Sequence, residues 1–271
     1  MKILIIGKKS RIGLSLKKYL GNFFFIRMDN YKEIEIKKSI FFNQFDYLIN
    51  CSSNKSYIEK KYNLKNDYDY QIAKKIANSD VKQIFLSSRK IYPAKDNIKE
   101  KDKKNPLCNY SKNKLLTEKK LINVLKDRIL ILRISNLIGY DKILSKRKLH
   151  KTFIDIFFEN IKKGYILKNN GLYKDFISAK NFSKIIERLM LKNATGVFNV
   201  SAGQKIYLDD IVKWLNHHNL KKVRVIDNKL IESNKACFYL NNQKLLKFTK
   251  IKITLSELKN ECKKISKIYF K

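Results

Sequence analysis

Short apolar runs alternate with amphipathic stretches through the first two-thirds of this 271-residue chain. Buried strands are predicted where the apolar residues run together, at residues 2–6, 23–28, 47–50, 83–86 and 129–133. Between them the apolar residues recur at helical spacing, which predicts helices over 11–19, 66–77 and 110–125. Strands that alternate with helices of this length form crossover connections. We therefore predict an α/β fold with a Rossmann-like, doubly wound parallel sheet.

The pattern loosens after Gly139. Helices are predicted over 151–163, 208–216 and 255–268, and one further strand over 197–200. No internal repeat or low-complexity linker separates these segments from the first part of the chain. We expect a dinucleotide-binding Rossmann domain over 1–138 and 176–202, joined to a smaller C-terminal substrate lobe over 139–175 and 203–271.

The charge is strongly positive, with 60 Lys and Arg against 24 Asp and Glu and a formal net charge of +36. Such a balance suggests nucleic acid or an anionic membrane surface as a partner. However, only eight of the cations are arginines, the residue that reads bases, and the lysines are scattered through the whole chain. We expect no specific nucleic-acid partner, and a positive field that suits an anionic small substrate.

The sequence contains no apolar run long enough to span a membrane and no signal peptide. We therefore expect a cytoplasmic protein that does not insert into a membrane. The four cysteines lie far apart, which favours buried reduced thiols over a disulfide framework or a zinc site. His150, His217 and His218 have no matching carboxylate or cysteine spacing. No metal site is predicted.

A glycine-spaced turn follows the first strand and opens the first helix, from Gly7 to Gly13. Gly7 permits a tight turn and Gly13 lets the helix pack against the sheet, so that the first helical amides face a pyrophosphate. Two glycines six apart also fit an ordinary strand-to-helix turn. Asp29, which follows the second strand, strengthens the dinucleotide interpretation because a carboxylate there binds ribose hydroxyls.

A tyrosine followed four residues later by a lysine places both side chains on one face of a helix. The ammonium favours the phenolate, and such a tyrosine can exchange a proton with a hydroxyl or ketone while a nicotinamide carries the hydride. The spacing occurs three times, at Tyr57/Lys61, Tyr70/Lys74 and Tyr110/Lys114. In a chain this rich in lysine, spacing alone does not choose between them.

Position favours the third pair. A strand end with Ser87 and Ser88 precedes Tyr110, and the segment 133–139 follows it. These parts can converge at the carboxyl edge of a parallel sheet, where ligands bind.

Together these segments resemble the extended short-chain dehydrogenase/reductases, the NAD-dependent epimerase/dehydratase family that acts on nucleotide sugars. Residues 47–53 are similar to the family's fourth-strand segment, and Asn63 stands where the family places a cofactor-contacting Asn. Residues 171–177 resemble its G-x-x-R-D-F-I motif, and 196–200 resemble the strand that carries its y-N-v pattern. The resemblance covers nearly the whole chain.

The resemblance implies roles for individual residues. Ser88 would hold the reacting oxygen, since it lies four residues before Tyr92 as in the family pattern, Tyr110 would be the acid/base, and Lys114 would assist it. The cofactor would contact Gly7, Ser10, Arg11, Ile12, Gly13, Asp29, Cys51, Ser52, Ser53, Asn63, Tyr110 and Lys114. The substrate would contact Ser88, Asn136 and Lys174.

The chain departs from the family pattern in three places. Ser10 replaces a glycine, Lys174 replaces an arginine, and a strand predicted over 178–181 lacks the acids that are common there. Arg89 and Lys90 stand where the family's 4,6-dehydratases carry an Asp-Glu pair, so dehydration is not expected.

The resemblance thus implies an NAD(P)-dependent ketoreductase or epimerase of a nucleoside-diphosphate sugar, in surface-polysaccharide sugar biosynthesis. The alternative is a non-catalytic NAD(P)-binding protein with a regulatory or scaffolding role. The cofactor is NAD or NADP: Asp29 favours NAD, whereas Lys8, Lys9, Arg11 and Arg27 favour NADP. A homodimer formed through the helices at 66–77 and 110–125 is also expected from the family.

Overall fold

The computed structural model describes residues 1–139, 152–228 and 237–271. The strands of the described chain are β1 Lys2–Ile6, β2 Phe25–Asp29, β3 Tyr47–Asn50, β4 Lys82–Ser88, β5 Ile129–Ile134, β6 Asn136–Ile138, β7 Tyr165–Lys168, β8 Tyr173–Lys174, β9 Phe176–Ser178, β10 Gly196–Val200, β11 Ile206–Tyr207 and β12 Arg224–Asp227. Its helices are α1 Arg11–Leu20, α2 Tyr31–Glu35, α3 Lys55–Glu59, α4 Tyr68–Lys75, α5 Asn109–Leu125, α6 Phe153–Lys162, α7 Ala179–Leu191, α8 Leu208–Leu215, α9 Gln243–Thr249 and α10 Leu255–Tyr269. Short 3-10 turns cover Ser39–Gln44, Leu64–Asn66, Arg89–Ile91 and Lys126–Arg128.

Six parallel strands form the central sheet, in the order β10-β5-β4-β3-β1-β2. The chain leaves β1 toward β2 on one side and then returns to build β3, β4, β5 and β10 on the other side. This reversal is the topological switch point of a doubly wound sheet, where ligands bind beyond the carboxyl ends of the strands. The predicted fold class is confirmed.

Alternate side chains of each strand enter the two layers that flank the sheet. Ile3 and Ile5 pack with Leu16 of α1 and Ile185 of α7, whereas the intervening Leu4 lies in the opposite layer. That opposite layer includes side chains from α2, α4 and α5. Helices on both faces explain why the strand sequences are almost continuously apolar.

The predicted strands and helices of the first two-thirds are found within a few residues of their expected bounds. β4 is longer than predicted and includes Ser87 and Ser88. The segment 47–53 corresponds to the third strand in chain order and not the fourth, because residues between β2 and β3 form α2 and the 3-10 turn Ser39–Gln44. β2 therefore lies at the edge of the sheet.

The strand expected over 178–181 is wrong. The Ser178 side chain accepts a 3.1 Å hydrogen bond from the backbone N of Asn181 and caps the helix α7, which starts at Ala179. An N-cap serine satisfies one of the free amides of the first turn, so the chain turns from β9 directly into a helix. The prediction missed α7 altogether.

A separate apolar cluster lies in the C-terminal part of the chain. Phe157 of α6, Phe176 of β9, Ile211 of α8 and Ile265 of α10 pack together there. In contrast, Leu245 of α9 packs with the core of the central sheet. The division into a Rossmann domain and a substrate lobe stays a prediction, and its parts at 140–151 and 229–236 lie outside the described residues.

Three smaller expectations can be compared with the structure. All four cysteines are free, but only Cys262 is buried and Cys108 is exposed, so the prediction of four buried thiols is wrong. His217 and His218 lie exposed after the end of α8, and His150 lies outside the described residues. Within the described ranges, no helix has the length and apolar character needed to cross a bilayer.

Candidate active site

The carboxyl ends of β1, β3, β4 and β5 meet at one edge of the sheet, because all four strands run parallel. Gly7, Cys51, Arg89 and Ser135 are the first residues after these strands. Most of the predicted site residues are therefore distributed over neighbouring loops of a single edge, together with the first turns of α1 and α5.

Gly7 and Gly13 have the geometry that a dinucleotide loop needs. Gly7 has φ +121°, and a Cβ on it would lie 3.2 Å from the carbonyl carbon of Cys51 and 3.3 Å from the backbone N of Ser52. A Cβ on Gly13 would lie 3.0 Å from the carbonyl oxygen of Gly7. A side chain at either position would push the loop, the neighbouring strand end and α1 apart. These residues fit the loop of a dinucleotide-binding fold.

The other predicted residues of this loop have contacts of their own. Ser10 caps α1, and its Oγ accepts a 3.4 Å hydrogen bond from the backbone N of Gly13. Ile12 packs against the core. Arg11 NH1 lies 3.4 Å from the buried carboxylate of Asp155 on α6. Ser10 and Arg11 can thus contact a cofactor through their backbone at the helix N-terminus, while their side chains support the loop.

Asp29 ends β2 and is nearly buried. Its carboxylate accepts a 2.9 Å hydrogen bond from Arg27 Nε and lies 3.9 Å from Lys8 Nζ. Lys8 also pairs with Glu33 at 2.9 Å. The predicted ribose-binding carboxylate is therefore held between two cations, which partly offset its repulsion of a 2′-phosphate.

Ser52 and Ser53 follow β3, and Asn63 lies apart from them. Asn63 is on an exposed turn, where its side chain accepts a 2.9 Å hydrogen bond from the backbone N of Lys65. The small cavity beside Ser52 and Ser53 is lined by Asn66 instead, which accepts a 3.1 Å hydrogen bond from Asn54. The cofactor contact of Asn63 stays a prediction, and the fold brings the amides of Asn54 and Asn66 to this cavity.

The two serines at the end of β4 have different partners. Ser87 is buried, and its Oγ donates to the Oε1 of Glu118 at 2.5 Å. Glu118 is also held by Arg133, whose NH2 lies 2.7 Å from Oε2. Ser88 is only half-buried, and its Oγ accepts a 3.2 Å hydrogen bond from the backbone N of Lys90. Its O–H remains available as a donor toward the sheet edge.

Tyr110 lies in the first turn of α5, and Lys114 lies one turn later. The ammonium of Lys114 is 4.4 Å from the ring centroid of Phe85 in β4 and 5.6 Å from that of Tyr57. Lys90 Nζ lies 6.0 Å from the ring centroid of Tyr110. The first turn of α5 therefore adjoins the loop that follows Ser88, and Lys114 lies beneath it against β4.

The tyrosines of the other two Tyr/Lys pairs have different surroundings, although the Tyr57 ring also adjoins Lys114 and the small cavity beside Ser52 and Ser53. Tyr57 is buried with its OH 2.7 Å from Thr117 Oγ1. Tyr70 is on α4, where its ring is covered by Lys74 and by Lys120 of α5. Among the three pairs, only Tyr110/Lys114 has its tyrosine next to the loop that follows Ser88 at the sheet edge.

Asp69 was not foreseen as a residue near the site. Its buried carboxylate accepts a 3.3 Å hydrogen bond from Gln83 Nε2. Burial raises the pKa of Asp69 to about 7, although the nearby charge of Lys114 opposes this shift. Asp69 is therefore the acid that faces the predicted catalytic lysine from α4.

Three cations lie close to one another at this edge: Arg89, Lys90 and Lys174. Arg89 stacks on Phe238 with its Cζ 3.8 Å from the ring centroid. Burial lowers the pKa of Arg89 to about 10, so the group stays charged at neutral pH. The pKa of Lys174 is lowered by its burial and then by the charges of Arg89 and Lys90.

Asn136 anchors Asp175, the residue that follows Lys174. Both its backbone N and its side-chain Nδ2 donate to the carbonyl oxygen of Asp175, at 3.2 and 2.9 Å. The structure thus brings Asn136 and Lys174 together, although Asn136 is used for positioning at this point. Ser135 Oγ is buried beside Asn136 and has no hydrogen-bond partner in the described part of the chain. The sequence carried no signal for this hydroxyl beyond its place at a strand end.

Comparisons with known proteins agree with this architecture. A sequence model described as the NAD dependent epimerase/dehydratase family matches residues 5–201. A search of curated proteins finds no match. The fold is similar to that of a dTDP-4-dehydrorhamnose reductase from Clostridium acetobutylicum, with a TM-score of 0.77 and 17% identity over 99% of each chain.

Two further solved structures are similar. One is a UDP-N-acetylglucosamine 4-epimerase from Methanobrevibacter ruminantium in complex with UDP-N-acetylmuramic acid, with a TM-score of 0.79 and 17% identity over 99% of this chain and 97% of that one. The other is a dTDP-glucose 4,6-dehydratase from Bacillus anthracis in complex with NAD, with a TM-score of 0.76 and 13% identity over 99% and 96% of the two chains. At these identities the likeness shows a shared fold.

Proposed function

The chain belongs to the NAD dependent epimerase/dehydratase family, and on that premise we propose that it transfers a hydride at a sugar carbon of a nucleoside-diphosphate sugar. The observation that carries this proposal is the position of Tyr110 and Lys114. They lie on one face of α5, next to the end of β4 with Ser88, and at the same sheet edge as the Gly7 loop.

A nicotinamide dinucleotide would supply the hydride acceptor or donor in this reaction. Gly7, Gly13 and the first turn of α1 would hold its pyrophosphate, and Asp29 its adenosine ribose. We favour NAD over NADP because of Asp29, with Arg27 and Lys8 as the residues that oppose this preference. The similar dehydratase, which was crystallised with NAD, supports a nicotinamide cofactor.

The residues of the chain would move and hold the proton. Ser88 donates a hydrogen bond to the reacting oxygen and orients it toward Tyr110. The phenol of Tyr110 gives a proton to a carbonyl oxygen during reduction, or takes one from a hydroxyl during oxidation. Lys114 places a positive charge beneath this turn of α5 and stabilises the phenolate form.

A diphosphate handle supplies binding energy away from the reacting carbon, which positions a small polar sugar. Lys174 is the cation we assign to this diphosphate. The similar dTDP-4-dehydrorhamnose reductase and UDP-N-acetylglucosamine 4-epimerase are named for nucleotide sugars, which supports this substrate class.

Within this class we propose a reductase or an epimerase, and not a dehydratase. Arg89 and Lys90 provide no carboxylate next to Ser88 that could exchange a proton with a neighbouring carbon. A homodimer and a role in surface-polysaccharide sugar biosynthesis are parts of the same proposal.

The proposal is tested by calorimetric titration of UDP, GDP, CDP and dTDP into protein loaded with NAD⁺ or NADP⁺. One of these nucleotides should bind below millimolar concentration, and Lys174→Ala should weaken that binding by about 1 to 3 kcal/mol, the cost of a lost charged hydrogen bond. Lys192→Ala, an exposed lysine on the far end of α7, is the matched control. If no nucleoside diphosphate binds the wild-type protein, the nucleotide-sugar proposal is wrong.

A further inference from the structure

Arg89, Lys90 and Lys174, which we call the cation cluster, have no acidic partner in the described structure. Across residues 1–139, 152–228 and 237–271, none of the three forms an ion pair with Asp or Glu. Asp175, the acid next to Lys174, is buried and accepts hydrogen bonds from the backbone N of Ala202, Gly203 and Leu240. Asp96, the first acid after Lys90, pairs with Lys205 at 2.8 Å. Gathering like charges at a half-buried edge costs free energy unless an anion joins them.

Two members of the cluster belong to the reacting end of the site. Arg89 and Lys90 come directly after Ser88, and the 3-10 turn that holds them begins with the Ser88 side chain as its cap. Lys90 Nζ lies 6.0 Å from the ring centroid of Tyr110. Arg89 stacks on Phe238 at 3.8 Å, which fixes the plane of the guanidinium. Lys90 therefore lies beside the group that Ser88 and Tyr110 would act on, and Arg89 precedes it in the same turn.

A diphosphate does not account for these two charges. It is attached to the anomeric carbon, so the sugar ring separates it from the carbon that reacts. Its two phosphates carry two negative charges in total, whereas the cluster offers three positive charges, so the diphosphate leaves at least one of them without an anion. Because Lys174 is the cation assigned to the diphosphate, we assign the pair nearer to the reacting end, Arg89 and Lys90, to an anion on the sugar itself.

We propose that Arg89 and Lys90 bind a carboxylate on the sugar, so that the substrate is the nucleoside-diphosphate derivative of an acidic sugar. The planar guanidinium of Arg89 suits the two oxygens of a carboxylate, and Lys90 adds a point charge from the exposed side. This inference rests on the proposed function and specifies its substrate class.

The experiment compares matched pairs of nucleotide sugars that differ in a carboxylate. UDP-glucose and UDP-glucuronate, and GDP-mannose and GDP-mannuronate, are titrated calorimetrically into NAD⁺-loaded protein. The acidic member of at least one pair should bind at least about tenfold more tightly, the effect of a charged hydrogen bond. Lys90→Gln should cut that preference to about threefold or less, and should change the affinity of the neutral member less than about twofold.

Two further variants sharpen the test. Lys112→Gln removes the same charge from an exposed position on α5 and should leave the preference unchanged. Arg89→Gln should abolish the preference, and if this variant does not fold because the stacking on Phe238 is lost, the exposed Lys90 still decides the question.

The outcomes separate the inference from the function beneath it. If neutral and acidic members bind equally well, or if Lys90→Gln lowers the affinity of both by the same factor, the cluster binds the diphosphate. The inference would then be wrong, while the proposed function would stand. If neither the nucleotide sugars nor the nucleoside diphosphates bind, both fail.

Discussion

Ser87 Oγ donates a 2.5 Å hydrogen bond to Glu118 Oε1, and both side chains are buried. The same carboxylate is fixed by Arg133, so the serine hydroxyl completes a buried charged network. Ser88, one residue later, points to the other side of the strand, as successive residues of a strand do. Adjacent serines therefore have separate tasks: one secures β4 to α5, and the other faces the sheet edge.

We expect Ser88→Ala and Ser87→Ala to affect different quantities. Ser88→Ala should lower turnover by about tenfold to a hundredfold with little change in thermal stability, because a hydrogen bond to the reacting oxygen is lost. Ser87→Ala should lower the free energy of unfolding by about 1 to 3 kcal/mol, because Glu118 loses a buried donor. Steady-state kinetics and chemical denaturation of both variants distinguish these effects. A stable Ser87→Ala with low turnover, beside an active Ser88→Ala, would reverse the assignment.

Tyr110→Phe removes the proposed proton donor and keeps the ring. Turnover should fall by roughly 10² to 10⁴, the contribution of a general acid/base, while dinucleotide affinity stays nearly unchanged. The measurement is hydride transfer to or from the nucleotide sugar, with dinucleotide binding followed by fluorescence. Tyr70→Phe, on α4, is the control and should keep wild-type turnover. If Tyr110→Phe is fully active, the acid/base must be sought at Tyr57 or Tyr70.

Asp29 and its two cations set the cofactor preference. NADH should bind more tightly than NADPH, because the carboxylate accepts ribose hydroxyls and repels a 2′-phosphate. Asp29→Ala should weaken the binding of NADH by about tenfold and reduce the difference in affinity between NADH and NADPH. Arg27→Gln should weaken the binding of NADPH more than that of NADH. Parallel fluorescence titrations with both dinucleotides measure this. A strong NADPH preference that survives Asp29→Ala would show that Asp29 does not face the ribose.

The stability of the protein should depend on the ionisation of Asp69. Burial raises the pKa of Asp69 to about 7, well above the value near 3.9 of an exposed aspartate. Between about pH 4 and 7 the folded chain keeps a proton that the unfolded chain has released, so this group's contribution to stability falls as pH rises. Asp69→Asn should remove up to about 1.4 kcal/mol per pH unit of that slope.

Urea denaturation at intervals of pH checks this prediction. Asp80→Asn, at an exposed position after α4, should retain the wild-type slope. An unchanged slope in Asp69→Asn would mean that the folded chain carries Asp69 ionised, in partnership with Lys114.

The expected homodimer would use the outer surface of α5. Leu116 there is 40% exposed, which suits a contact with a second copy. Light scattering should give twice 32.1 kDa, and Leu116→Lys should shift the mass toward the monomer. Leu191→Lys, at the end of α7, is the control. A mass near 32.1 kDa at every concentration would contradict the dimer.

Local patterns predicted the central fold because parallel strands covered on both faces have to be apolar almost throughout. The apolar runs of β1, β3 and β5 identify these segments as strands for that reason. The sequence also carries a signal for the helix α7. Phe182, Ile185, Ile186 and Leu189 recur at helical spacing, which contradicts the strand expected over 178–181.

The parts of the site that the sequence did not reveal depend on contacts between distant residues. Glu118 lies 31 residues from Ser87, and Asp69 becomes an unusual acid only because α4 buries it against Gln83. Lone acids in a helix are normally solvated, so nothing local marks either one. The place of Asn66 beside Asn54 likewise depends on the 3-10 turn Leu64–Asn66, which no local pattern in the sequence predicts.

The ion pair between Arg11 and Asp155 connects the first turn of α1, beside the Gly7 loop, to α6, which belongs to the C-terminal apolar cluster. A dinucleotide that settles on α1 would thereby restrict α6, and a nucleotide sugar that settles against α6 would restrict α1. Thermodynamic linkage requires the two effects to be equal, so each ligand should raise the affinity of the other by the same factor. Arg11→Gln should then weaken this mutual effect of the two ligands on each other's affinity.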